Sequence, residues 1–428
     1  MLAGPSSLLL WAQAAPAFRR AEPFAIAWTW WLAWLGVLFL VFPLLVAYTV
    51  WAERKAIGRF QARVGPNRVG PLGLLQPIAD IFKLISKEDI VPSAADRWVH
   101  LLAPVLLLVA AFLGMAVIPF GVAATTKVVP FGVERPDPTN TRDWWFPGLS
   151  AVDLPSGLLY VVAVSSLASL GLFLAGWSGR NKYSLIGAMR GVAQLVSYEV
   201  PQVLALVPVI LWTGSLSLVA IFNRQLDHGW FLFSPPGLVG FVVFVVASLA
   251  EVNRTPFDIP EAESEIIAGY HTEYSGMRWA LFFLAEYMGM ILVACLATVV
   301  FLGGGALPFI RWPLGATPAP LLVVNIVLVL GFAVKVALII FVMFWARATL
   351  PRVRVDRLMG FAWKFLVPLC LLNIVIAAVW YECVHRPETP RLLLGWALSA
   401  PLTLLAIAGS AWAYWLGMSA APPERTQP

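Results

Sequence analysis

Residues 251–274 read EVNRTPFDIPEAESEIIAGYHTEY and hold six carboxylates, Glu251, Asp258, Glu261, Glu263, Glu265 and Glu273, against one firm base, Arg254. The stretch lies between two apolar runs, FVVFVVASLA ending at Ala250 and WALFFLAEYMGMILVACLATVVF from Trp279. Charge is poorly stabilised next to hydrocarbon, so acids gathered at such a boundary point to proton or ion chemistry. Burial and like-charge crowding bring carboxyl groups toward neutrality at working pH, which a proton relay requires. On a helix, Glu261 and Glu265 share a face. Two more acids fall inside apolar runs: Glu199, about two turns into its span and just ahead of Pro201, and Glu286, beside Tyr287. Pro201 removes a backbone donor and can loosen the local ladder. Every one of these acids has a second reading, as half of an ion pair that serves packing.

The bases that the topology brings nearest to these acids are Arg54, Lys55, Arg59, Arg63 and Arg254. Asp80 is an isolated acid with Lys83 and Lys87 three and seven residues on, along one helical face. Phe60 and Phe257 are packing residues or flat apolar contacts for a ligand. Lys335 and Lys364 fall inside apolar runs, where a lone lysine needs a partner or water. The three cysteines and four histidines form no CxxC and no ligand cluster, and no phosphate-binding glycine loop is present. No redox or nucleotide cofactor is bound by motif.

The elements that must position these groups are membrane helices. Hydrophobic residues make up 60% and charged residues 12% of the 428, where a soluble domain averages roughly 25% charged. Apolar runs of about 20 residues recur along the chain. They lie at about 26–50, 100–120, 157–177, 193–213, 233–250, 279–301, 321–346, 358–380 and 392–416. Backbone polar groups in hydrocarbon need internal partners, so the fold class is all-α, a polytopic membrane protein of about nine transmembrane helices plus interfacial amphipathic helices. The odd-numbered connections hold 17 basic residues and the even ones seven. The positive-inside rule then puts the N-terminus outside and the C-terminus in the cytoplasm. The N-terminal segment is a weak match to a signal peptide without a basic start, or a surface segment leading into the first span.

The first cytoplasmic connection, 51–99, is more than a loop. WAERKAIGRFQAR reads as one amphipathic helix, VGPNRVGPLG as turns, and LLQPIADIFKLISKEDI as a second helix with Leu74, Leu75, Ile78, Ile81, Phe82 and Ile85 on one stripe. Two uses fit: an anchor on lipid phosphates, or a wall of a cavity that opens sideways to the bilayer. Residues 251–278 form the acidic connection, in one membrane domain spanning 1–428.

Three segments, AERKAIGRFQARVGPNRVGPLGLLQPIADIFKLISKED, QLVSYEVPQVLAL and EVNRTPFDIPEAESEIIAGYHTEYSGMRWALFFLAEY, together resemble the quinone-site membrane subunit of proton-pumping NADH:quinone oxidoreductase, respiratory complex I. In bacteria this is the H-type membrane component, and in mitochondria the NADH dehydrogenase 1 type. The resemblance covers about 48–104, 180–210 and 245–300 closely. The N-terminal extension, the long 121–156 segment and the ninth span at 392–416 depart from it.

The resemblance implies a non-redox subunit of the bacterial inner membrane that forms the membrane side of a quinone chamber. Its substrate would be ubiquinone or menaquinone. FMN and iron–sulfur clusters would sit in partner subunits, the soluble ones docked on the cytoplasmic face and antiporter-like membrane subunits alongside. It implies a proton relay through Glu199, Glu251, Glu261, Glu263, Glu265 and Glu286, and quinone contacts from Arg54, Phe60, Arg63, Asp80, Arg254 and Phe257. Other readings are the homologous component of a membrane-bound hydrogenase or other-donor complex, and, more distantly, a secondary transporter. No repeat between halves supports the transporter.

Overall fold

The computed structural model describes residues 36–120, 154–260, 268–308, 318–385 and 392–419. The expected N-terminal segment, most of the 121–156 insertion and Glu261, Glu263 and Glu265 lie outside these residues. Helix α1 is Phe42–Phe60, continuing a π-helical turn at Val37–Val41, and α2 is Gln76–Ser86. Then come α3 (Arg97–Met115), α4 (Gly157–Ser178), α5 (Lys182–Thr213), α6 (Leu218–His228) and α7 (Pro235–Glu251). The order ends with α8 (Gly276–Phe301), α9 (Pro318–Thr349), α10 (Val355–Phe361), α11 (Val367–His385) and α12 (Leu392–Ser419). A π-helical turn at Ala362–Leu366 makes α10 and α11 continuous.

Each of the nine expected runs meets a helix. Seven helices among the described residues are long and apolar enough to cross a membrane, and α7, with 17 residues, is a shorter apolar helix. The protein is a multi-pass membrane protein of all-α fold. Two boundaries differ from the sequence reading. WAERKAIGRF is no separate interfacial helix but the end of α1, because no proline or turn intervenes before Ala62 reverses the chain at φ 53°. Helix α5 begins at Lys182, not near 193, because the Asn181 side chain accepts from Tyr183 N at 3.0 Å and caps it. Glu199 therefore lies at the middle of a 32-residue helix and not two turns from its start.

Hydrogen bonds tie the odd connections into one basic end. Asp96 N donates to Ser178 O at 3.1 Å, Val353 N to Pro256 O at 3.1 Å, and Ile90 N to Ser275 Oγ at 2.8 Å. At the opposite end, Leu158 N donates to Leu216 O at 2.9 Å. The core is formed by α7, α8 and the middle of α5, with Tyr198, Phe244, Met288 and Phe301 fully buried. Outward faces such as Leu330, Leu338, Leu404 and Leu405 are exposed apolar surface, as expected where lipid is the solvent.

Since lipid is as apolar as leucine, close backbone approach decides which helices associate. Between α4 and α5 this rests on Gly176, where an added Cβ would sit 2.3 Å from the Ala188 Cβ and 2.8 Å from Ser184 O. Gly176→Leu is expected to push the two helices apart, with an overpacking cost of about 1–3 kcal/mol or more. A lowered thermal-unfolding midpoint of the chain in detergent, relative to Gly289→Ala, measures it. An added Cβ at Gly289 meets nothing within 4 Å.

Candidate functional site

The acidic connection begins where α7 runs out of apolar residues at Glu251. Helix α5 holds its start down: Gln194, fully buried, donates through Nε2 to Ala250 O at 2.7 Å and to Phe257 O at 2.6 Å. These bonds fix the turn that carries Arg254 into the bundle, where it is 6% exposed. Its Nε lies 3.0 Å from Glu286 Oε1 of α8, its Nη1 lies 3.8 Å from Glu53 Oε1 of α1, and the guanidinium sits 4.0 Å from the centre of the Tyr287 ring. Glu53 is buried as well; it accepts from the Tyr287 hydroxyl at 2.5 Å and from Arg347 of α9. Burial works against the charge of Arg254, but Glu286, Tyr287 and Glu53 outweigh it and hold the guanidinium above its ordinary pKa. It remains charged at every working pH.

Five side chains from three helices and one connection thus converge at the basic end. Beside them is a cavity of about 100 Å³ lined by both Glu251 and Glu286, with Ser165, Asn253, Tyr270 and apolar residues of α3, α5 and α8. That volume accommodates several waters among polar partners. On its far side, Gln202 Nε2 donates to Glu251 and, at 3.2 Å, to Ser248 Oγ. Glu199, half-buried one helical turn before Gln202, is near enough to Glu251 for their charges to interact.

The sequence candidates divide accordingly. Arg254 and Glu286 form the buried cluster, Glu251 shares the cavity with Glu286, and Glu199 adjoins Glu251. Arg54 and Asp80 form a second, outer pair at 2.8 Å that joins α1 to α2, and Asp80 also accepts from Gln76 at 2.9 Å. Arg63 is exposed and bonded to Gln61 at 2.7 Å, apart from the buried cluster. Phe60 is exposed at the end of α1, its ring 6.3 Å from Phe341. Phe257 is buried in the core, 5.7 Å from the Tyr198 ring. Sequence reasoning missed Glu53, Tyr287 as a hydrogen-bond donor, Arg347 and Gln194. A signal existed for Glu53: it is the first acid after the first apolar run, followed by two bases that point away from it.

A family model described as NADH dehydrogenase matches residues 33–378, which include every member of the cluster. The chain belongs to this family. Curated relatives bear the name of the H component of NADH-quinone oxidoreductase. The one from Dehalococcoides mccartyi strain CBDB1 is 46% identical over 361 residues, 84% of this chain and 89% of that protein. The one from Geobacillus kaustophilus is 45% identical over 348 residues, 81% of this chain and 92% of its own length. The one from Brevibacillus brevis is 46% identical over 352 residues, 82% and 93%. The matched range ends at residue 378, before α12 begins.

The rest of the basic end braces this cluster. His100 is fully buried and stacks on Tyr274 at 3.9 Å, and its ring nitrogens lie 3.1 Å from Arg278 Nη1 and 3.3 Å from Glu273 O. Arg278 pairs with Asp89 at 3.0 Å, and Asn181 donates to Glu273 at 2.8 Å. Burial raises the Tyr274 hydroxyl to about 12, partly offset by its hydrogen bond with Ser178. Among the described residues no group of three His, Cys, Asp or Glu side chains is placed to hold a metal ion. Removing the central cation tests the cluster directly. Arg254→Met deprives Glu286 of that cation and leaves Glu53 to Arg347, at a cost of about 3–5 kcal/mol for breaking a buried pair. A sharp fall in folded chain recovered from membranes is expected, with Arg54→Met, at the exposed pair, recovered near parent levels.

Proposed function

We propose that this chain forms the membrane side of the quinone-binding chamber of a proton-translocating NADH:quinone oxidoreductase, and that its glutamates couple quinone reduction to proton movement. The observation that carries the reading is the continuity from the Glu53–Arg254–Glu286–Tyr287–Arg347 cluster through a cavity to Glu251 and Glu199, in a chain of the family whose relatives bear that name. Quinone reduction takes two electrons and two protons. The electrons come from partner subunits, which hold FMN and iron–sulfur clusters and dock on the basic end, the cytoplasmic side of the bacterial inner membrane. Antiporter-like membrane subunits lie alongside. The N-terminus is outside and the C-terminus inside.

The chain's own residues supply charge and protons. The exposed apolar stripe of α2, Ile78, Ile81, Phe82 and Ile85, lies against lipid and frames a sideways entry for the isoprenoid tail. The Arg54–Asp80 pair marks the polar edge of that entry, with Phe60, Phe257 and Arg63 as further quinone contacts. The Tyr287 hydroxyl spends its one proton on Glu53, and the Nη2 of Arg254, buried without a hydrogen bond, is a donor for a ligand oxygen or water. Negative charge on the reduced headgroup favours proton uptake by the nearest carboxyls, Glu53 and Glu286. Cavity waters then connect Glu286 to Glu251, and Glu251 connects to Glu199. Arg254 stays charged throughout, so it organises the acids and does not carry the proton. Glu261, Glu263 and Glu265 extend the acidic path by composition.

Glutamine keeps the shape of Glu199 and cannot gain or lose a proton in the relay. Glu199→Gln is expected to assemble yet to lower quinone-linked NADH oxidation and proton pumping together, by about 10²-fold or more. Glu199→Asp should retain more of both. Inverted vesicles, normalised by NADH oxidation with ferricyanide, provide the paired measurement. A glutamine variant that pumps and turns over like the parent would take Glu199 out of the relay and leave it to Glu286 and Glu251.

A further inference from the structure

Lys335 lies on the inward face of α9, 7% exposed, and the reading above has no use for it. Its ammonium donates to three backbone carbonyls of the loop that ends α8: Leu302 O at 2.7 Å, Gly304 O at 2.7 Å and Ala306 O at 2.5 Å. The Trp230 ring covers it, with 4.0 Å from Nζ to the ring centre, and the Trp230 Nε1 donates to Ala306 O at 3.2 Å. Among the described residues it makes no ion pair. Its compensation is the negative end of the α8 dipole, the carbonyls and the indole face.

The loop is shaped for this. Gly303 and Gly304 both have left-handed backbone, φ 64° and 54°, which turns successive carbonyls to one side. Gly304 N donates back to Thr298 O at 2.9 Å, and Gln225 Nε2 donates to Val299 O and Val300 O at 2.8 and 3.0 Å. An added Cβ at Gly305 would fall 1.9 Å from Leu328 O, so the loop lies directly against α9. Three converging carbonyls match the three N–H groups of an ammonium. A neutral amine would present a lone pair to one of them, and a planar guanidinium is the wrong shape.

Helix α9 packs chiefly against α8 and α1. Its outward face, Leu330, Val334, Leu338, Phe341 and Trp345, is exposed. Lipid provides no hydrophobic drive to hold such a helix at one height, so its height rests on its packed inner face and on directional polar contacts. It has two such contacts. Lys335 grips the end of α8, and Arg347, twelve residues on and about 18 Å along the axis, grips Glu53 of α1. We propose that Lys335 is a positioning residue that sets the height of α9 and thereby places Arg347 against Glu53. This deepens the quinone-site reading and rests on it.

The test is a double-mutant cycle in the assembled complex, read as NADH oxidation with a short-chain quinone and normalised by ferricyanide activity. Arg347→Met should lower turnover roughly tenfold to a hundredfold, as misplacement in a site does. Lys335→Met should give a comparable loss with the same split between kcat and KM. Added to Arg347→Met, it should change activity by less than about twofold. Lys335→Arg, which keeps the charge but misfits the carbonyls, should resemble Lys335→Met. Parent activity in Lys335→Met or Lys335→Arg, or losses that multiply in the double variant, overturn the proposal while the site reading stands. Parent activity in Arg347→Met overturns the site reading and the proposal with it. If Lys335→Met does not accumulate, Trp230→Phe serves: it removes one hydrogen bond to Ala306 and replaces the indole over Lys335 with a smaller aromatic ring. Its smaller loss should vanish in the Arg347→Met background, and persistence there overturns the proposal.

Discussion

A guanidinium buried at the edge of hydrocarbon is the constraint on which the basic end depends. Arg254 cannot shed its charge, so carboxylates have to come to it. Glu286 arrives on α8 and Glu53 on α1, and Arg347 of α9 shares Glu53. One buried cation therefore draws three helices and the acidic connection to a single point. Removing any partner leaves charge that the surroundings cannot solvate. The same scarcity of water gives the cluster chemical leverage, because carboxylates there respond strongly to a change of charge nearby.

That cation must itself be held in place, and backbone hydrogen bonding does this. The segment after α7 has no regular structure, and Gln194 adds a donor from α5 to two carbonyls of the turn, Ala250 O and Phe257 O. Farther out, Asn181, Ser275, Arg278 and His100 bind three of the connections at the basic end to one another. The basic end is cross-linked in this way, while the apolar stripe of α2 stays exposed.

The opposite end solves a related problem with different chemistry. There a lysine is compensated by carbonyls, a helix dipole and an indole ring, with no carboxylate. Such a contact is indifferent to the protonation of acids, whereas farther along the same helix Arg347 meets the carboxylate of Glu53.

Length, hydropathy and the spacing of charge determined the membrane class, the all-α fold and the nine apolar runs, since hydrocarbon admits helices whose polar groups are satisfied internally. The motifs around Glu53, Glu199 and Arg254 sufficed to assign the family. Helix ends were less legible: α5 starts eleven residues early because of a cap at Asn181, and α1 runs through charged residues that looked interfacial. Which acids meet was not legible at all. Glu53 and Tyr287 are separated by 234 residues, and Glu53 and Arg347 by 294. Their pairing follows from how α1, α8 and α9 cross, which no local periodicity encodes. Tertiary structure alone decided that Arg54 faces Asp80 outside while Glu53, one residue away, turns inward, because neighbouring residues on a helix point about 100° apart.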